Sequence, residues 1–178
     1  MDSCAFTGHR PKSFPWGYNE SDFRCKALKS VLAEQIKKLA QAGVTNWFSG
    51  MALGVDVWSA QIVLKLRAKN PALKLNCILP CEDQDKQWTA SARELYRSIL
   101  DQADSVTYVS QNYYNGCMLE RNRQLVEASS VLLAVYNGEQ RGGTAATVRY
   151  AQQAGSTIII IDPISRNVTC TENRHDFA

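Results

Sequence analysis

The stretch Val131-Leu132-Leu133-Ala134-Val135-Tyr136-Asn137-Gly138-Glu139-Gln140-Arg141-Gly142-Gly143-Thr144-Ala145-Ala146-Thr147-Val148-Arg149-Tyr150-Ala151 decides how this chain folds. Its unbroken apolar run, Val131 to Tyr136, reads as a strand buried on both faces, as parallel strands usually are. A polar, glycine-rich loop follows. Gly142-Gly143-Thr144 then opens a segment with helical spacing (Val148, Ala151, with Tyr150 beside them). A strand feeding a helix through two glycines is how open α/β sheets build an anion site, because the helix N-terminus offers unpaired N–H groups and a partial positive charge. The alternative is an ordinary tight turn whose glycines only relieve backbone strain. Alone, Gly-Gly-Thr is a weak signal and favours the ordinary turn.

Outward from this stretch the same grammar repeats. Ser3 to Thr7 reads as a strand, broken by Gly8-His9-Arg10-Pro11. The loop through Phe14-Pro15-Trp16-Gly17-Tyr18-Asn19 is long for a strand-to-helix connection, and its aromatics suit either a flap stacking on a flat ligand or a cover for the sheet edge. Ser21 or Asp22 caps a helix with the stripe Leu28, Val31, Leu32, Ile36 and Leu39, ending at Gly43. Val44 to Phe48 is the second strand, and Ser49-Gly50-Met51-Ala52-Leu53-Gly54-Val55-Asp56 opens the next helix. Asp56 either favours the helix dipole or accepts ribose hydroxyls.

Leu73 to Leu79 is the third strand. Cys81-Glu82-Asp83-Gln84-Asp85 follows it, with Asp83 or Asp85 expected as helix cap and solvated surface. Trp88, Ala92, Leu95, Tyr96 and Ile99 mark the third helix. Ser105 to Val109 is the fourth strand, and Cys117 to Ser129 the fourth helix, with Met118, Leu125 and Val126 facing inward. Arg121 and Arg123 lie near the start of that helix, where cations oppose the dipole and call for an anion. Thr157 to Ile161 is expected to be the last strand, stopped by Asp162-Pro163.

Alternating strands and helices imply a single doubly wound α/β domain, Rossmann-like, with a mostly parallel sheet flanked by helices, over residues 1–164. Residues 165–178 read as a loose polar tail. In such sheets ligands bind beyond the strand C-termini where the strand order reverses. Gly8 to Arg10, Ser49 to Asp56, Glu82 to Gln84, Tyr113 to Arg123 and Gly142 to Thr147 all fall there.

Composition narrows the function classes. The chain has 178 residues, 21% charged and 45% hydrophobic, enough for one full core. A net charge of +3 with no basic run argues against a nucleic-acid surface. No apolar run approaches a membrane span, and no basic-then-apolar leader precedes Ser3, so a cytoplasmic location and no membrane partner are expected. Six cysteines and two histidines, His9 and His175, supply no convincing metal ligand set, so reduced, mostly structural thiols and no metal are expected.

Thr7-Gly8-His9-Arg10-Pro11, Ser49 to Asp56, the Glu82/Gln84/Trp88 group, Cys117 to Arg123, and Gly142 to Val148 occur in this order, each after a strand. In this the chain resembles the SLOG superfamily of Rossmann-like proteins, and most closely its YpsA-like subgroup, from Ser3 to about Pro163. That superfamily includes the LOG nucleotide hydrolases and the DprA DNA-processing proteins. In the LOG motif a Gly-Thr pair is followed, after two variable residues, by a catalytic Glu, with an Arg on the preceding helix. Gly143, Thr144 and Arg121 match; the Glu position is Thr147. The resemblance thus implies a ligand class more firmly than a reaction.

The leading expectation is a binding protein or sensor for a nucleotide derivative such as ADP-ribose or NAD, with no cofactor required. Gly142, Gly143 and Thr144 would hold a phosphate, neutralised by Arg121 or Arg123, with Thr147 one turn on. Gly50, Met51 and Ala52, after Ser49, would offer a second backbone approach. Asp56 or Glu82 would take ribose hydroxyls, with Gln84 beside them, and Trp88 or the Trp16/Tyr18 flap would stack on the base. Gly8, His9 and Arg10 complete the rim. The alternatives are an N-glycoside hydrolase using Glu82 and Arg121, and a DprA-like nucleic-acid module. A homo-oligomer is left open, since the arginine that misses the ligand is free to meet a partner subunit.

Overall fold

Side-chain alternation along the strands splits the core into two layers. Val131, Leu133 and Val135 face one layer, with Cys4 and Phe6; Leu132 and Ala134 face the other, with Ala5. This is the period-2 consequence of a sheet covered on both sides. The computed structural model describes residues 2–171. In chain order these form β1 (Ser3–Gly8), a 3-10 turn (Pro11–Ser13), α1 (Phe23–Gln41), β2 (Asn46–Ser49), α2 (Val55–Arg67), β3 (Lys74–Leu79), α3 (Ala90–Leu100), β4 (Ser105–Tyr108), α4 (Cys117–Glu127), β5 (Val131–Val135), α5 (Gly143–Ala154), β6 (Thr157–Ile161) and β7 (Val168–Thr171).

The sheet order is β4-β3-β2-β1-β5-β6-β7. Every pairing is parallel except β6 with β7. Right-handed crossovers then dictate the layers. Moving outward from β1 to β4 puts α1, α2 and α3 on one face, where Leu28, Leu32, Ile36, Trp58, Val63, Tyr96 and Ile99 pack. Returning to β5 and moving the other way puts α4 and α5 on the opposite face, through Leu125, Val126, Val148 and Ala151.

Helix starts fall into two kinds. Asp22 caps α1, its carboxylate accepting from the Arg24 N–H at 2.8 Å, and Thr89 caps α3, accepting from the Ala92 N–H at 3.3 Å. By contrast α2, α4 and α5 begin at Gly54, Gly116 and Gly142, with φ of 95°, 105° and 98° and no side-chain cap.

Four expectations are corrected here. Thr89, not Asp83 or Asp85, caps α3; Asp85 is buried and paired with Arg93 at 3.2 Å and Arg97 at 3.8 Å. The aromatic loop is no flap: Phe14 and Trp16 are buried and stack at 4.8 Å, and Phe14 continues onto Trp58 at 5.9 Å. Burying three large rings outweighs leaving them in water. Of the loop's aromatic residues only Tyr18 stands exposed. Thr157–Ile161 is not the last strand, because β7 pairs antiparallel with it, Ile158 opposite Thr171. Of the expected tail, residues 165–171 therefore include an edge strand; 172–178, with His175, lie outside the described residues.

Cys4, Cys25, Cys77, Cys81 and Cys117 are buried. Burial pushes the Cys77 thiol up to about 12 and, with Asp83 adding, Cys81 to about 11, so both stay protonated. Among the described residues no helix is long and apolar enough to cross a membrane, and no His, Cys, Asp and Glu cluster is placed to hold a metal.

Candidate functional site

The strand order reverses between β1 and β5, whose C-terminal ends meet at Gly8 and Val135. This is where an open α/β sheet leaves a crevice. Gly8 lets α2 start against the strand end: a Cβ there would stand 2.4 Å from Val55 Cγ2. His9, buried, turns its ring toward the β5 side, with Nε2 2.9 Å from Asn137 Oδ1 and 3.3 Å from the Asn137 backbone nitrogen. The tautomer selects which of those two bonds forms. Arg10 is exposed.

The loop from Ser49 to Asp56 is knotted onto itself. Ser49 Oγ accepts from the Met51 N–H at 3.1 Å and donates to the Asp56 carbonyl at 3.0 Å. Met51 is held at φ 55°, an unusual conformation for a non-glycine residue, which this bracing sustains. The Ala52 N–H donates to Asp56 Oδ2 at 3.2 Å. Gln84 Nε2 donates to the Gly50 and Met51 carbonyls at 3.3 and 3.1 Å. The Gly50 and Met51 carbonyls and the Met51 and Ala52 N–H groups are thus engaged inside the protein.

Arg121 closes this knot. It is buried, donates from Nη1 to the Gly50 carbonyl and from Nε to Asn122 Oδ1 at 2.8 Å, and lies 3.9 Å from Asp56 Oδ2. The anion expected to compensate it is therefore Asp56, on α2. Burial lowers the Arg121 pKa from its ordinary value, and burial raises that of Asp56, with each opposing the other's shift. Asp56, itself buried, is committed to this pair and to Ala52 rather than open to ribose hydroxyls. Arg123 points elsewhere, its guanidinium 5.3 Å from the Tyr150 ring centre.

Asn122 carries the connection onward, with Nδ2 3.4 Å from the Gly143 carbonyl. At this end of α5 the backbone is open to its surroundings. Gly142 has φ 98° and ψ 172°, a region only glycine populates readily. There is no side-chain cap and no acid in the first turn. Gly142 and Gly143 are exposed, and nothing lies within 4 Å of where a Cβ on Gly142 would stand. The Thr144 hydroxyl, on a residue only 8% exposed, makes no hydrogen bond among the described residues. Thr147 is fully buried and donates to the Gly143 carbonyl at 2.8 Å, so its hydroxyl serves the helix.

A cleft of ≈ 1230 Å³ opens beside Gly54. It is bounded by Arg10, Lys12 and Tyr18 before α1, by Gln84, Lys86 and Trp88 before α3, and by Tyr113 and Met118 at the start of α4. Trp88 stands edge-on to buried Tyr96, centroids 5.1 Å apart at 77°. Two acids, Glu20 and Asp83, also line the cleft, but Glu20 is tied to Lys29 and to Trp58 Nε1. Glu82 is exposed and lies outside this lining. A shallower depression along α3 is walled by Arg93, Glu94, Arg97 and Asp101, an ordinary solvated helix face away from the strand ends.

The sequence-predicted residues thus fall into three groups. Gly50, Asp56, Arg121 and Gly143 are joined through Asn122 into one contact chain; Arg10, Gln84 and Trp88 line the cleft; Glu82 and Arg123 stand apart. Asn122 and Asn137 were missed, although Asn122 sits inside the quoted Arg-Asn-Arg segment and Asn137 directly follows the strand that opens the crevice.

Comparison with other proteins places this geometry. A UPF0398 protein of Bacillus pumilus (strain SAFR-032) is 31% identical over 155 residues, covering 85% of this chain and 82% of the relative. A UPF0398 protein of Bacillus anthracis (strain A0248) is 30% identical over 158 residues, covering 87% and 85%. Among solved structures, DNA processing protein A from Helicobacter pylori matches with TM-score 0.62 at 19% identity, and that from Streptococcus pneumoniae with 0.60 at 14%. The match covers 90% and 93% of this chain but only 65% and 53% of those proteins, and at such identity it shows a common Rossmann-like fold. The model of the YspA SLOG family matches residues 4–164, and the chain belongs to that family.

Proposed function

We propose that this chain binds a nucleotide-derived small molecule, of the ADP-ribose or NAD kind, with a phosphate seated on the N-terminus of α5. The observation that carries the reading is the uncapped turn at Gly142-Gly143-Thr144. It combines a glycine-only backbone, no competing acid and an unpaired hydroxyl on the largely buried Thr144. Free N–H groups and the helix dipole favour an anion there. Arg121 supports the turn from behind, through Asn122, rather than touching the phosphate. Binding without turnover is favoured over hydrolysis because Thr147 occupies the position of the hydrolases' carboxylate and is enclosed.

Titration calorimetry with ADP-ribose, NAD and AMP tests this, alongside mass spectrometry of any small molecule that co-purifies. The absence of binding for all three at millimolar concentration would overturn it. The nucleic-acid reading draws on one comparison: the Helicobacter pylori neighbour is described by its single-stranded DNA binding mode. Salt-dependent retention of a labelled single-stranded oligonucleotide, absent for nucleotides, would select that reading instead.

A further inference from the structure

We infer that Arg141, the residue before the Gly142-Gly143-Thr144 turn, is the cation that grips the ligand's phosphate at the N-terminus of α5. This rests on the phosphate-turn reading and supplies the charge that reading lacks. Arg121 and Arg123, the arginines expected there, are engaged elsewhere, Arg121 with Gly50, Asn122 and Asp56 and Arg123 with Tyr150. Arg141 is exposed, and its guanidinium has no ion pair, hydrogen bond or ring contact among the described residues. It stands directly before a helix start with no acid in its first turn. A cation there opposes the helix dipole, and an incoming anion relieves both.

The loop before Arg141 is braced at every residue. The Tyr136 hydroxyl donates to the Glu139 carbonyl. Asn137 Oδ1 accepts from the Glu139 N–H at 3.1 Å, and Asn137 Nδ2 donates to Glu139 Oε1 at 2.9 Å. The loop's one acid is thus held by Asn137 and not by Arg141. Gln140 Nε2 donates to the Gly138 carbonyl at 3.3 Å, and Arg149, from the second turn of α5, donates from Nη1 to the Gln140 carbonyl at 2.9 Å. These bonds fix the backbone on one side of Arg141 and α5 fixes it on the other, so its side chain starts beside the turn. A second polar group there is the Thr144 hydroxyl, unpaired and open to solvent although its residue is largely buried. Free N–H groups, a hydroxyl and a planar guanidinium around one exposed helix start match the oxygens of a phosphate.

The test is calorimetric titration of ADP-ribose, at several salt concentrations, into the wild type, Arg141→Ala, Arg141→Lys and Gly143→Asp, with thermal midpoints measured without ligand. Arg141→Ala should weaken ADP-ribose about 10-fold and make its binding less sensitive to salt. Arg141→Lys, which keeps the charge but not the fork, should restore part of the affinity. The ligand-free midpoint of Arg141→Ala should stay level or rise slightly, because the variant removes a cation that opposes the dipole. If Arg141→Ala binds as tightly as the wild type, keeps its salt dependence, or loses ligand-free stability in parallel with binding, this inference falls while the phosphate turn stands. If the wild type does not bind ADP-ribose, or Gly143→Asp binds it undiminished, the phosphate-turn reading fails and this inference goes with it.

Discussion

The guanidinium of Arg121 occupies the space where a side chain at position 50 would begin: a Cβ on Gly50 would stand 2.0 Å from Arg121 Nη1 and 2.5 Å from its Cζ. Arg121 cannot simply swing aside, because it is buried and bonded to Asn122. Gly50→Ala should therefore destabilise the fold by about 1–3 kcal/mol, the usual cost of overpacking. Urea denaturation of Gly50→Ala, Arg121→Ala and the double variant checks the cause. The double variant should be less destabilised than the sum of the singles, since the alanine methyl then meets empty space. Additive effects would mean the two residues do not share that space.

The glycines of the α5 turn should behave differently from each other. Gly142→Ala forces a side chain into φ 98°, ψ 172°, and should cost roughly 1–3 kcal/mol. Gly143 needs no such conformation, and its nearest neighbour to a Cβ is Asn122 Nδ2 at 3.6 Å. Gly143→Asp should leave the thermal midpoint unchanged or slightly raised, because an acid in the first turn suits the dipole. The same acid should abolish nucleotide binding by occupying and repelling the anion position. Parallel loss of folding and binding in Gly143→Asp would make the turn structural.

How legible this was varies with the physics involved. The apolar runs of β5 and β6 and the glycine turns after β1, β2 and β5 have local causes, so the parallel sheet and the rim at its strand ends could be read directly. Trp16 could not, because an aromatic loop carries no period that tells burial from exposure; its stacking on Phe14 is a tertiary outcome. Val168–Thr171 is short and polar, and only pairing with the apolar β6 makes it a strand. Arg121 was legible as a misplaced cation, but its partner Asp56, 65 positions earlier, was read as a ligand group. A charge seeking an anion looks the same in sequence whether the anion is a substrate or a buried carboxylate.

The buried pair makes a pH prediction. Burial raises the Asp56 carboxyl above its ordinary 3.8, outweighing Arg121 and the Ala52 N–H, which pull it down. A raised value in the folded state means the folded protein holds this proton more tightly than the unfolded chain. The resulting stabilisation is full below 3.8 and is lost as pH rises through the folded value. Relative to Asp56→Asn, the wild type should therefore lose stability as pH climbs above 3.8, followed by urea midpoints. A gain over that window would show that Arg121 holds the carboxylate ionised more strongly than burial opposes it.

Arg121 and Arg123 separate support from surface, and together with Glu82 they separate binding from catalysis. Arg123 is exposed and touches only Tyr150 among the described aromatic rings, so Arg123→Ala should cost about 0.5–1 kcal/mol or less. Arg121→Ala strands Asp56 in the interior without its countercharge, and should cost roughly 3–5 kcal/mol. Arg121→Lys keeps the charge but not the planar fork that serves Gly50 and Asn122 together, so it should rescue only part. Because Arg121 acts through Asn122 on the turn, nucleotide affinity should fall in step with that loss of stability, while Arg123→Ala leaves affinity unchanged. Long incubation of the wild type with ADP-ribose, NAD or a nucleoside monophosphate should release no base or ribose, whichever arginine is present. A slow release that disappears in Glu82→Gln at unchanged affinity would put an exposed carboxylate to catalytic use, and the hydrolase reading would replace binding.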